Sequence, residues 1–123
     1  MASNPSELSE QIVLVRALRR RGVWFCAVPN GGKRNRNEAA RLKAAGVERG
    51  VPDLLIFDPP PKRPDKHGCA LELKRQGARS SSLSLDQTRW LSALSDRGWD
   101  VIVAYGAVDA LAQLKALGYF DKS

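Results

Sequence analysis

Short apolar runs bounded by glycine and proline alternate along this chain with longer stretches in which apolar residues return at helical spacing. Leu8, Ile12, Val15 and Leu18 recur every third or fourth position, which predicts a helix over Glu7–Arg21 with those residues among its apolar positions. Ser6 is its expected N-cap. Arg19, Arg20 and Arg21 before Gly22 suit its C-terminus, where cations meet the negative end of the dipole and glycine stops the turn. Those arginines could also touch a phosphate backbone, but the capping role needs no partner. Val23–Val28 reads as a first strand, and Pro29–Asn37 as a loop dense in glycine, asparagine and cations. A short helix over Glu38–Ala45 turns Leu42 inward, leaves Arg41 and Lys43 in solvent and ends at Gly46. Two more apolar runs, Val51–Phe57 and Ala70–Lys74, read as strands. The segment between them, Asp58–Gly68, can only be a loop, because its prolines remove the donors a sheet needs. A polar loop over Gly77–Ser82 precedes a helix over Leu85–Ser95, with Leu85, Trp90, Leu91 and Leu94 as its core contacts. Gly98 closes that helix, Trp99–Tyr105 is the last strand and Val108–Leu117 the last helix, while residues 1–5 read as a loose tail. The order of strands in the sheet does not follow from this pattern.

Two of the apolar strands carry charges that a purely structural strand avoids: Asp53 in one, Glu72 and Lys74 in the other. Paired antiparallel across the proline-rich loop, they bring Asp53 opposite the neighbourhood of Glu72. Residues two apart in a strand share a face, so Glu72 and Lys74 point one way while Leu71 and Leu73 point the other. Two carboxylates and an ammonium on one sheet edge suit a hard, oxygen-binding cation beside a water and a phosphate. Short patterns of this kind also recur by chance, and a solvated ion pair on an open sheet face would look the same.

At 123 residues the chain is expected to be a single domain with one core. A formal charge of +7 favours nucleic acid as a partner, although a membrane surface or an acidic protein would give the same bias. No apolar run approaches the ~18 residues needed to span a bilayer, and the N-terminus lacks a signal-peptide core, so a cytoplasmic protein is expected. Cys26 and Cys69 belong to no metal-binding spacing and are expected to be buried, reduced thiols. His67, the only histidine, lies in the proline-rich loop and cannot serve as both ligand and base. The Pro29–Asn37 loop is either a phosphate cradle or a solvated connection; it lacks the spacing of a nucleotide-binding P-loop.

Taken in order, several motifs resemble the VRR-NUC family of the PD-(D/E)XK nuclease superfamily, in its small stand-alone form, often phage-borne. They are Ser6-Glu7 with Gln11, Val28-Pro29-Asn30-Gly31-Gly32-Lys33-Arg34, and Leu42-Lys43-Ala44-Ala45-Gly46-Val47. Gly50-Val51-Pro52-Asp53-Leu54, Leu71-Glu72-Leu73-Lys74, Gln87 with Trp90, and Gly98-Trp99-Asp100-Val101 follow. The resemblance runs from about Ser6 to the C-terminal helix. It implies an α/β fold with a restriction-endonuclease-like core, a small mixed four-stranded sheet flanked by helices. It implies a metal-dependent DNA endonuclease in which Asp53, Glu72 and the backbone carbonyl of Leu73 hold Mg²⁺ or Mn²⁺. Lys74 would orient or help deprotonate the attacking water, and Gln87 would lie beside the scissile phosphate. A first-helix glutamate would support the metal site: Glu7, or Glu10 if the register differs. Asn30, Lys33, Arg34, Arg36, Arg75 and Arg79 are the candidate nucleic-acid contacts. Small members of the family resemble homodimers that act on branched DNA such as four-way junctions, which places a phage-encoded member in the host cytoplasm. The competing readings are a non-catalytic basic nucleic-acid-binding module and a structural subunit whose basic face meets an acidic protein.

Overall fold

A computed structural model describes residues 6–29 and 35–121. The expected tail over residues 1–5, and Asn30, Lys33 and Arg34 of the glycine-rich loop, lie outside the described residues. The elements are α1 (Glu7–Arg20), β1 (Phe25–Ala27), α2 (Arg36–Ala44), β2 (Leu54–Ile56), β3 (Cys69–Lys74), a 3-10 turn (Ser80–Ser82), α3 (Leu85–Asp96), β4 (Asp100–Tyr105) and α4 (Ala107–Ala116). The four strands lie in sequence order, β1-β2-β3-β4. β1 pairs antiparallel with β2 and β2 with β3, whereas β3 and β4 are parallel. Parallel neighbours need a crossover connection, and α3 supplies it.

The alternation along β2, β3 and β4 sorts side chains onto two faces of this mixed sheet. On one face Leu54, Ile56, Cys69, Leu71, Leu73, Ile102 and Ala104 meet Leu14 and Leu18 of α1 and Ala110 and Leu114 of α4. Burying each large side chain here contributes about 1.5–3 kcal/mol. The other face carries Asp53, Glu72 and Lys74, with α3 packed beside it.

Ser6 caps α1 as its sequence position predicts, accepting from the Ser9 N–H at 3.1 Å. The inner face of α1, however, is set by Glu10, Leu14 and Leu18; Val15 is only partly buried, and Leu8 is 67% exposed. Of the apolar positions read from sequence, Leu18 is buried and Val15 packs beside the core, while Leu8 and Ile12 lie outside a buried stripe that includes a carboxylate. Cys26 is exposed rather than buried, since β1 is an edge strand of three residues; Cys69 is buried. Leu85 at the head of α3 is 74% exposed and adds nothing to the core. β1 and β2 are shorter than their apolar runs, yet Val28 N–H still donates to the Asp53 carbonyl at 2.9 Å and Phe57 N–H to that of Trp24 at 2.8 Å.

The proline-rich connection between β2 and β3 is a loop, and its ends are held. Asp58 Oδ2 accepts from the Trp24 N–H at 2.9 Å, Tyr119 Oη donates to the Asp58 carbonyl at 2.7 Å, and Arg63 Nη1 donates to Asp100 Oδ1 at 3.0 Å. These contacts fix where β3 begins, and so the register on which the charged face depends.

Candidate active site

The pairing of Leu54 with Leu71 sets the next position outward, where Asp53 stands opposite Glu72. Asp53 closes the end of the ladder with its side chain: Oδ2 accepts from the Leu73 N–H at 2.7 Å. The chain leading into β2 lies directly on the start of α3. A Cβ at Gly50, whose φ is +87°, would come within 2.6 Å of the Asp86 carbonyl carbon and 2.7 Å of the Gln87 nitrogen. Only glycine tolerates both that backbone conformation and that approach.

Gln87 is the hinge of the site. Ser84 caps α3, its hydroxyl accepting from the Gln87 N–H at 3.1 Å while Gln87 Oε1 accepts from the Ser84 N–H at 2.9 Å. The same Oε1 accepts from Lys74 Nζ at 2.9 Å, and Nε2 donates to Glu72 Oε2 at 3.3 Å. A helix cap thereby aligns a lysine and a glutamate from β3. Gln87 thus serves both as part of the helix cap and as a partner of the charged pair. The S-x-x-Q spacing of Ser84 and Gln87 is a readable capping-box signature. The Ser82 carbonyl, which accepts from Lys74 Nζ at 3.2 Å, left no such mark in the sequence.

Glu72 is 3% exposed and lies 4.0 Å from Lys74 Nζ. Its Oε1 is buried without a hydrogen-bond partner among the described residues. Burial above all, then the neighbouring Asp53 carboxylate, push the Glu72 carboxyl up to about 8, with Lys74 opposing and Glu7 adding. One ammonium does not offset two crowded carboxylates in a buried setting. When no metal is bound, a proton on Glu72 relieves that crowding; a divalent cation would relieve it in the proton's place and would also partner the orphaned oxygen. Asp53, Glu72 and the Leu73 carbonyl offer hard oxygen donors, the chemistry of Mg²⁺ or Mn²⁺ rather than of a thiolate or imidazole site. No group of three or more His, Cys, Asp or Glu side chains is gathered for a metal among the described residues, so carboxylates alone do not complete a ligand shell.

The two first-helix glutamates part company. Glu10 is buried, and its Oε1 accepts from the Ala107 N–H at 3.1 Å, capping α4, whose own N-cap residue Gly106 has no side chain to do so. The Gly106 N–H in turn donates to the Lys74 carbonyl at 2.9 Å. Glu7, one turn earlier and exposed, is the one whose charge reaches Glu72. The structure thus brings together Asp53, Glu72, Lys74 and Gln87, with Glu7 near and Glu10 committed to α4. Of the candidate nucleic-acid contacts, Arg36 stands exposed at the start of α2, and Arg75 and Arg79 stand exposed just after β3.

A mixed sheet whose antiparallel and parallel strands meet at a D…E-x-K group, with helices on both faces, defines a PD-(D/E)XK-like nuclease fold. The family profile described as the VRR-NUC domain matches residues 5–108, and the chain belongs to that family. A solved structure titled "VRR_NUC domain protein" superposes with a TM-score of 0.72 at 22% identity, covering 95% of this chain and 91% of that one. No curated protein matches. This is therefore a nuclease-family protein. No helix among the described residues is long and apolar enough to cross a membrane.

Proposed function

We propose that the protein is a divalent-metal-dependent endonuclease that hydrolyses DNA phosphodiester bonds. The observation that carries this reading is the convergence on one face of the sheet of Glu72, Lys74 and Gln87, linked to one another, with Asp53 beside Glu72 and bonded to the Leu73 N–H. Asp53, Glu72 and the Leu73 carbonyl would hold Mg²⁺ or Mn²⁺. Bound there, the ion would acidify a water and neutralise charge on the phosphate.

The chain's own residues set the geometry. An ammonium has three N–H donors, and Gln87 Oε1 and the Ser82 carbonyl occupy two of those on Lys74. The third is left for the attacking water or a phosphate oxygen. Gln87 keeps the amine from collapsing onto Glu72, which frees the carboxylate for the cation. Glu7 adds negative charge at the edge of the site and supports the cation from there. Arg36, Arg75 and Arg79, with Asn30, Lys33 and Arg34, would hold the DNA backbone.

For the substrate, we take branched DNA, four-way junctions included, cut by a homodimer. The test is a panel of junction, flap, nicked and linear duplexes incubated with Mg²⁺, Mn²⁺ or EDTA, using wild type and Asp53→Asn. Cutting that needs the metal, favours branched substrates and falls at least about 100-fold in Asp53→Asn supports the reading. Salt-sensitive binding without metal-dependent turnover would leave only a basic binding module. For the assembly, light scattering should give a mass twice the 13.5 kDa chain, and a monomer with and without DNA counts against the dimer.

A further inference from the structure

Beyond the carboxylate site, an open groove of about 1090 Å³ lies between α2 and α3. Its floor is apolar, formed by Leu42, Val47, Trp90, Ala93 and Leu94. Lys43, Arg49, Arg89 and Arg97 line it as well, against the two acids Glu48 and Asp86. None of those four cations is ion-paired among the described residues, although Arg97 Nη1 donates to the Ala93 carbonyl at 2.9 Å. The groove adjoins the site. Asp86, on its wall, precedes Gln87, and Gly50, packed against both, follows Arg49.

We propose that this groove holds an unpaired DNA strand running away from the scissile phosphate. The inference rests on the nuclease reading and adds that, among branched substrates, those with an unpaired strand beside the cut, such as flaps, are gripped more tightly than fully paired ones. A duplex shows phosphates and groove edges and gains nothing from a tryptophan-containing floor. An unpaired strand offers base faces to that floor and phosphates to the cations, the combination by which single strands are gripped without sequence preference. A second copy of this chain is the poorer occupant, because two grooves with surplus positive charge, on chains of net charge +7, repel each other.

The test measures binding in EDTA, so that nothing is cut, of an oligothymidylate strand and of a blunt duplex of equal length. Trp90→Ala is compared with wild type, with the exposed double variant Arg89→Glu/Arg97→Glu, and with Trp24→Ala as a control far along the chain on β1's side. The proposal expects Trp90→Ala to weaken single-strand binding about tenfold and duplex binding less than about twofold. The double variant should lose single-strand binding more steeply than duplex binding, and Trp24→Ala should change neither. Because the arginines are exposed, the double variant tests the groove even if Trp90→Ala disturbs folding. Equal losses on both DNAs, or unchanged single-strand binding in both groove variants, overturn the proposal. So does a change in solution mass on Arg89→Glu/Arg97→Glu with single-strand affinity intact, which assigns the groove to a second copy. Failure of the nuclease reading is seen separately, as absence of metal-dependent cutting by wild type.

Discussion

Glu72 is the residue on which the electrostatics of the site turn. Its carboxyl titrates at about 8 in the folded chain, against 4.5 for an unperturbed glutamate. The unfolded chain therefore releases this proton first as pH rises. The contribution to stability is whole below about 4.5 and is lost as pH climbs through about 8. In EDTA the melting temperature should fall between pH 5 and pH 8.5, and Glu72→Gln should flatten that fall. A wild-type profile that rises over this range contradicts the assignment. Cysteine reactivity follows from burial in the same way. Cys26 is exposed, whereas burial, with Asp100 adding, pushes the Cys69 thiol up to about 12. A thiol reagent at pH 8 should modify one cysteine quickly and the second only after unfolding. At this scale the sequence was informative about chemistry and poor about exposure. Asp53, Glu72 and Lys74 could be placed because strand alternation and a proline-rich connection constrain them. The exposure of Cys26 depends on which strand ends up at the sheet edge, and no local pattern records that.

Among the elements, α1 shows most clearly where hydropathy misleads. Its buried stripe runs through Glu10, Leu14 and Leu18, and the carboxylate earns its place by capping α4. Glu10→Ala should cost about 0.5–2 kcal/mol, the usual range for a lost helix cap, read as a lowered denaturation midpoint. It should also slow catalysis, because the turn it holds carries the Gly106 N–H that binds the Lys74 carbonyl. Leu14→Ala on the same stripe should cost about 2–5 kcal/mol. Leu8→Ala, at a mostly exposed position, should stay within about 0.5 kcal/mol. A larger effect at Leu8 than at Leu14 would contradict this burial pattern. Element types and rough extents were legible throughout because caps, glycines and prolines punctuate the chain. In α2 and α3 the expected inner residues Leu42, Trp90, Leu91 and Leu94 are partly buried, but neither helix has a fully buried residue, and Leu85 lies in solvent.

On the scale of the molecule, strand order was beyond local reading, because pairing partners lie far apart in the chain and loop lengths admit several orders. The family resemblance supplied the architecture that periodicity left open, and the family match and the superposed structure agree with it. The sheet then acts as a partition. One face is packed with leucines from α1 and α4, and the other holds the charges, with α3 supplying the glutamine that links them. The net charge of +7 belongs to this scale too. DNA affinity should decline steeply with added salt, in proportion to the number of phosphates engaged. The most direct examination of the central claim is single-turnover cleavage of a branched DNA by Lys74→Ala at saturating enzyme and Mg²⁺. The account predicts a rate at least about 100-fold below wild type with DNA affinity nearly unchanged, measured at a temperature where the variant is still folded. Cleavage at the wild-type rate would show that the amine beside Glu72 takes no part in the chemistry.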